Sequence, residues 1–190
     1  LENGYEQKDL QVLAPMYDGS IGIYALNDLL QDIFNPKSLD KKEHQIGRFT
    51  YRVGDKILQL KNQPDDDVYN GDIGILIDIE KEDKKSKTYL VVDFDGVIVK
   101  YDSNTFTNIT LGYCISVHKS QGSEYNVVIM PVSHEYGIML RRKLIYTGIT
   151  RSKKYLYLLG NVNALARGVT LEDTIEKNFT LRERMEKLLY

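Results

Sequence analysis

Ser116-Val117-His118-Lys119-Ser120-Gln121-Gly122-Ser123-Glu124-Tyr125, with the apolar run Val127-Val128-Ile129-Met130-Pro131-Val132 behind it, decides the fold class. Tyr113 to Val117 is itself a short strand-like run. A polar, glycine-containing loop thus leaves one buried strand and feeds another, which is the pattern of an α/β sheet. In open sheets of this kind ligands bind beyond the carboxyl ends of the strands, so the loop is a candidate site. Gly122 lets backbone N–H groups approach a phosphate. Glu124 can accept a hydrogen bond from a sugar hydroxyl, and Ser116, His118 and Lys119 can donate to phosphate oxygens. The plain alternative is an ordinary solvated connection, because loops are polar and exposed as a rule.

Downstream, Leu140, Leu144, Thr147 and Arg151 fall near one helical face, and Tyr155 to Leu159 reads as a further strand ended by Gly160. Arg151 closes the helix just before that strand. Its planar fork stays protonated and bonds oxygens in pairs, which suits a developing phosphoryl charge. A bland role is open too: an arginine that caps the helix and favours its dipole. Thr180 with Glu183 forms a capping box, followed by Leu181, Met185, Leu188 and Leu189 on one face of a last helix.

Upstream, Leu10 to Ala14 reads as a buried strand stopped by Pro15. Asp18, Gly19 and Ser20 supply turn and N-cap chemistry, and Leu26, Leu29, Leu30 and Ile33 mark one face of a helix that Asn35-Pro36 ends. The middle changes period. Ile73, Ile75, Ile77 and Ile79 alternate with other residues after the turn pair Asn70-Gly71, and Asp95-Gly96 joins two alternating runs as a hairpin. The charged stretch from Glu80 to Lys87 reads as a solvated loop. The economical architecture is one α/β domain, residues 1–46 and 107–190, split by a small antiparallel barrel over residues 47–106.

Composition limits the function classes. At 190 residues and 42% apolar the chain can bury a core. A net charge of −2 argues against a free-standing domain that holds nucleic acid mainly through phosphates, so any such contact is local or shared. The single Cys114 excludes an intrachain disulfide and fits a reducing, cytoplasmic setting. His44, His118 and His134 have no metal-ligand spacing, so no metal site is expected. No apolar run approaches the roughly 20 residues of a membrane span, so no membrane partner is expected. The chain opens at Leu1 rather than methionine, as a piece of something longer would.

The two loop stretches, taken together, resemble superfamily 1 helicases. Ser116 to Tyr125 resembles their motif V, and Leu144-Ile145-Tyr146-Thr147-Gly148-Ile149-Thr150-Arg151-Ser152-Lys153-Lys154 their motif VI, in the right order and spacing. Gln11 to Tyr17, with Gly22-Ile23 and Leu26-Asn27, resembles motif IV of the RecD-like branch. Gly54 to Gln59 and Asn70 to Gly74 resemble the opening of that branch's SH3-like insertion. The match runs from about residue 10 to about 160. It departs at Asp18, where that motif IV carries a basic residue, and at Gly148, where alanine is frequent.

The resemblance implies a RecA-like second motor domain with an SH3-like domain inserted in it. It implies that Arg151 is an arginine finger reaching the γ-phosphate of ATP, that Glu124 lies near the ribose and Gly122 beside the phosphates. It implies that Ser116, His118 and Lys119 touch single-stranded DNA, along which the branch moves 5′ to 3′, in recombination or repair. No Gly-x-x-x-x-Gly-Lys-Ser/Thr loop and no acidic pair closing an apolar strand is present. These groups bind ATP phosphates and Mg²⁺. They are expected on an N-terminal motor domain, the chief partner, and nuclease or repair subunits are further candidates. This chain alone should therefore not hydrolyse ATP. The competing reading is a non-catalytic scaffold, derived from a helicase, that binds nucleic acid or protein.

Overall fold

The computed structural model describes residues 4–82 and 87–171. The capping box and amphipathic helix expected around Thr180 lie outside the described residues. Four strands, β1 (Leu10–Ala14), β9 (Cys114–Ser116), β10 (Tyr125–Val132) and β11 (Ser152–Gly160), form a parallel sheet in the order β11-β10-β1-β9. Helix α1 (Ile23–Phe34) packs on one face beside Val12, Ala14 and Cys114. Helices α2 (Arg142–Ile149) and α3 (Val162–Thr170) cover the other, where Leu13, Ile115, Val128 and Met130 meet Leu144, Ile145 and Ala164. Alternate strand residues point to opposite faces, so each run of valine and isoleucine serves both layers.

Between α1 and β9 lies the antiparallel unit. β2 (Glu43–Ile46) pairs with β3 (Phe49–Arg52). β4 (Lys56–Gln59), β5 (Ile73–Glu82), β6 (Lys87–Phe94), β7 (Val97–Tyr101) and β8 (Ile109–Leu111) make a second sheet in the order β7-β6-β5-β4-β8. Both sheets share one apolar core, including Tyr51, Ile57, Leu76, Leu90, Val92 and Tyr101. The hairpin read at Asp95-Gly96 is present: both residues have positive φ, 50° and 99°, as a two-residue primed turn requires.

Four expectations are corrected. The buried face of α1 carries Ile23, Asn27 and Gln31, whereas Leu29 and Ile33 are 57% and 61% exposed. The amides win because each has partners. Asn27 donates to the Cys114 carbonyl at 2.8 Å and accepts from its N–H at 3.0 Å, and Gln31 donates to Thr50 O at 2.8 Å and Asp55 Oδ2 at 2.6 Å. The isoleucine alternation of β5 breaks at Ile77, an extra residue where the register with β6 shifts between Leu76 and Asp78. That bulge puts Gly74, Leu76 and then Ile79 inward and leaves Ile77 exposed. Glu80, Lys81 and Glu82 are strand, paired with Tyr89, Thr88 and Lys87; beyond the core the ladder continues with charged side chains in solvent. Ser20 does not cap α1, whose N-cap is Gly22; its hydroxyl donates to Glu135 at 2.8 Å.

A polar joint fixes the antiparallel unit to the parallel sheet. Asp55 is fully buried and accepts from Gln31, from Asn35 at 2.7 Å, from the Arg52 N–H at 2.6 Å and from the Tyr113 hydroxyl at 2.9 Å. Burial pushes its carboxyl above the ordinary value and these donors pull against it. Lys56, 1% exposed, reaches across to the Leu10 carbonyl at 2.9 Å, and burial brings its amine down to about 8. Gln11 donates back to the carbonyls of Gly112 and Tyr113, both at 3.1 Å.

Candidate functional site

The segment from Ser116 to Glu124 crosses from one edge of the parallel sheet to the other. It leaves β9 at its carboxyl end and enters β10 at its amino end. The crossing is held by its own turns. Ser116 O accepts from the N–H groups of Lys119 and Ser120 at 3.0 and 3.2 Å, and the buried Ser120 hydroxyl donates to Val117 O at 2.7 Å. Gly122 has φ of 91° and open space where a Cβ would sit, so only glycine enters this turn freely.

At the carboxyl edge, Ser116, His118 and Lys119 come together with Pro15, Met16, Tyr17, Asp18 and Met139 around a hollow of about 560 Å³. The loop from β1 that carries Tyr17 and Asp18 is clipped by the Ser20–Glu135 bonds and by Tyr136, whose hydroxyl donates to Ile21 O at 2.9 Å. Ser116 is buried and His118 exposed. Partial burial holds the Lys119 amine below the ordinary lysine value, so this cation is held at an incompletely solvated surface.

Gly122, Glu124 and Arg151 stand elsewhere. They precede β10 and β11, so they lie at the amino ends of those strands and not at the carboxyl ends that the loop reading assumed. The difference arises because a connection between two parallel strands must return the full height of the sheet, and its two halves serve opposite edges. Arg151 sits just past α2. Its Nε donates to Thr147 O at 3.1 Å, Nη1 to Ser123 O at 3.2 Å and Nη2 to Thr150 Oγ1 at 3.2 Å. Its own carbonyl accepts from the Tyr125 N–H at 2.8 Å. Glu124 is 58% exposed at its side chain and lies 3.5 Å from Lys153. Strand pairing of Tyr125 with Ser152 brings Lys153 to Glu124, a neighbour that spacing alone does not reveal.

Among the described residues no group of three His, Cys, Asp or Glu side chains could hold a metal ion, and no helix is long and apolar enough to cross a membrane.

A RecA-like parallel sheet with an SH3-like unit between its first helix and second strand is the architecture of superfamily 1 helicases. The family model for the ATP-dependent RecD-like DNA helicase SH3 domain matches residues 26–94, and that for the UvrD-like helicase C-terminal domain matches residues 111–159. The two matched regions are thus those of a RecD-like SH3 domain and a UvrD-like helicase C-terminal domain. The ATP-dependent RecD2 DNA helicase of Deinococcus radiodurans is 34% identical over 82% of this chain and 20% of its own length. The RecBCD enzyme subunit RecD of Buchnera aphidicola subsp. Schizaphis graminum is 28% identical over 78% of this chain and 24% of its own length. The chain thus spans about a fifth to a quarter of these relatives. The fold is also that of Pif1 helicases. One from Bacteroides, in complex with ADP-AlF3 and ssDNA, superimposes with a TM-score of 0.59 at 15% identity over 98% of this chain and 46% of that one. The Candida albicans protein gives 0.59 at 16% identity over 97% and 51%.

Proposed function

We propose that the chain is the second motor domain, with its barrel insertion, of a helicase that couples ATP hydrolysis to 5′-to-3′ movement on single-stranded DNA and to duplex unwinding. The parallel sheet with its helices forms the motor domain, and the antiparallel unit from Glu43 to Leu111 forms the insertion, wider at both ends than the 47–106 read from periodicity because β2 pairs with β3 and β8 with β4. The observation that carries this reading is the crossing segment. It links the hollow of Ser116, His118 and Lys119 to the opposite edge, where Arg151 is bonded to Ser123.

At the first edge Ser116, His118 and Lys119 contact the strand backbone. At the second, Gly122 presents an unobstructed turn to the nucleotide, Glu124 accepts from its ribose, and Arg151 acts as the finger for the γ-phosphate. A guanidinium has about five N–H donors. Three nitrogens of Arg151 bond Thr147, Ser123 and Thr150, which aims the group while leaving donors for phosphoryl oxygens. ATP supplies the phosphoanhydride whose hydrolysis drives movement. The chemistry also calls for Mg²⁺, and among the described residues no group of three His, Cys, Asp or Glu side chains stands ready to hold it. The ion and most phosphate contacts belong to an N-terminal motor domain, the principal partner, and without it this chain is inactive. Assembly with nuclease or repair subunits belongs to the same reading, in a cytoplasmic recombination or repair setting; the Buchnera relative, a named subunit of the RecBCD enzyme, supports the assembly.

The test uses the full-length protein on duplexes with one single-stranded tail. Unwinding of the 5′-tailed duplex alone, with ATP, is expected. Unwinding of only the 3′-tailed duplex contradicts the polarity. No unwinding of either duplex, with strand binding intact, favours the scaffold reading.

A further inference from the structure

The crossing segment ends on a side chain that the arrangement above does not use. Tyr125 opens β10 directly after Ser123 and Glu124. Its N–H donates to the Arg151 carbonyl at 2.8 Å, and it pairs in register with Ser152. The ring packs against the core shared by the sheet and α2. The residue as a whole is half-buried, yet its hydroxyl is shut off from solvent, and among the described residues no hydrogen-bond partner meets it. Ser123 and Arg151 are close enough to act on it without completing a bond. Burial pushes the hydroxyl above the ordinary tyrosine value, while the Ser123 side chain and the Arg151 charge pull the other way.

This reverses the usual placement of a tyrosine, whose ring is buried while the hydroxyl stays wet or finds a partner. A buried hydroxyl without a partner costs stability, and phenylalanine would fill the same space without that cost. Beside a functional residue, such a group calls for a partner met in another state of the protein. The neighbouring bonds indicate which. Arg151 Nη1 reaches Ser123 O at 3.2 Å, the long end of the range for an N–H donor. As the free N–H groups of the guanidinium close on a phosphoryl oxygen, the group draws away from Ser123, and that carbonyl loses its donor. The Tyr125 hydroxyl is then the donor at hand.

We propose that Tyr125 is a positioning residue for Arg151: its hydroxyl takes over Ser123 as the guanidinium turns to the γ-phosphate, and so holds the crossing segment in place while the finger is engaged. The proposal rests on the nucleotide role given to Arg151 above. The new bond is strongest as charge develops on the phosphoryl group, so Tyr125 acts on turnover and not on the binding of ATP.

The experiment measures strand-stimulated ATP turnover by the full-length protein, wild type against Tyr125→Phe, which keeps the ring and removes the hydroxyl. We expect kcat to fall about five- to tenfold, the range of one hydrogen bond, with the KM for ATP unchanged and a melting temperature no lower than that of the wild type. In an Arg151→Ala background the same substitution should lower turnover no further, because Tyr125 acts through the arginine. An unchanged kcat in Tyr125→Phe overturns the proposal, as does an equal fall in the Arg151→Ala background. A fall accompanied by a lower melting temperature shows ordinary packing and overturns it too. Each of these results leaves the helicase reading standing. A wild type without strand-stimulated turnover overturns both.

Discussion

Arg151 donates through Nη1 to the carbonyl of Ser123 at 3.2 Å. The bond ties the turn after α2 to the far end of the crossing segment that begins at Ser116. A side chain assigned to the nucleotide is therefore fixed by the same stretch that carries the residues assigned to DNA. Arg151→Ala removes three hydrogen bonds of a half-exposed group. We expect a loss of about 1 kcal/mol in urea denaturation, since bonds to partly solvated charges are worth little more. An unchanged midpoint would show that the guanidinium is not held as described.

Asp55→Ala should cost far more. It strands donors from Gln31, Asn35, Arg52 and Tyr113, all within a buried joint. About 3 kcal/mol or more is expected, with amide exchange rising first around Arg52 to Lys56. The carboxyl's own pH effect has a definite sign. Its folded pKa lies above the unfolded value of 3.8, so the folded state keeps the proton longer and this group's contribution falls as pH rises through that interval. A loss below about 1 kcal/mol would mean that the joint relaxes around the gap.

Lys56 gives the opposite slope. Its folded pKa of about 8 lies below 10.5, so between these values the unfolded chain binds more protons and stability rises with pH. Lys56→Met abolishes that rise. The wild type should gain about 3 kcal/mol on the variant from pH 8 to 10.5. Burial raises the Cys114 thiol from 9.0, which lowers stability above pH 9 in both proteins, so the difference between them is the quantity to follow. Parallel curves would contradict a buried amine at this position.

Two glycines separate tolerance from tight packing. A Cβ at Gly148 would lie 2.9 Å from Met130 Sδ, near the end of a flexible side chain, while α2 gains a better helix former. Gly148→Ala should change stability by less than about 1 kcal/mol. At Gly168 the Cβ would meet the Leu140 carbonyl oxygen and Ile145 Cδ1, both at 2.8 Å, so α3 itself must move. Gly168→Ala should destabilise by about 1–3 kcal/mol. Differential scanning calorimetry of the pair decides it, and the reverse order would place the close helix approach wrongly.

The parallel strands were legible because Val127 to Val132 and Tyr155 to Leu159 carry their own period, and Asp95-Gly96 can make few turns other than the one found. The face of α1 was not, because counting apolar residues treats Asn27 and Gln31 as solvent-facing. Their partners, Cys114, Thr50 and Asp55, lie far along the chain. The bulge at Ile77 was hidden for a similar reason, as four isoleucines in alternation carry no mark of an extra residue. For the site, the loop and Arg151 were readable as motifs, but not that Ser116 and Glu124 end on opposite edges of the sheet. The direction of β9 and β10 decides that, and no local pattern records it.

Single-strand-stimulated ATP turnover of the full-length protein, wild type against Arg151→Lys and Arg151→Ala, tests the central claim most directly. Lysine keeps the charge but not the planar fork that engages Thr147, Ser123 and Thr150. The account predicts that alanine lowers turnover by about 10³-fold, with lysine nearly as impaired, while strand affinity stays close to wild type. Turnover that survives in Arg151→Ala would contradict the role given to this arginine and with it the link between the two edges of the sheet.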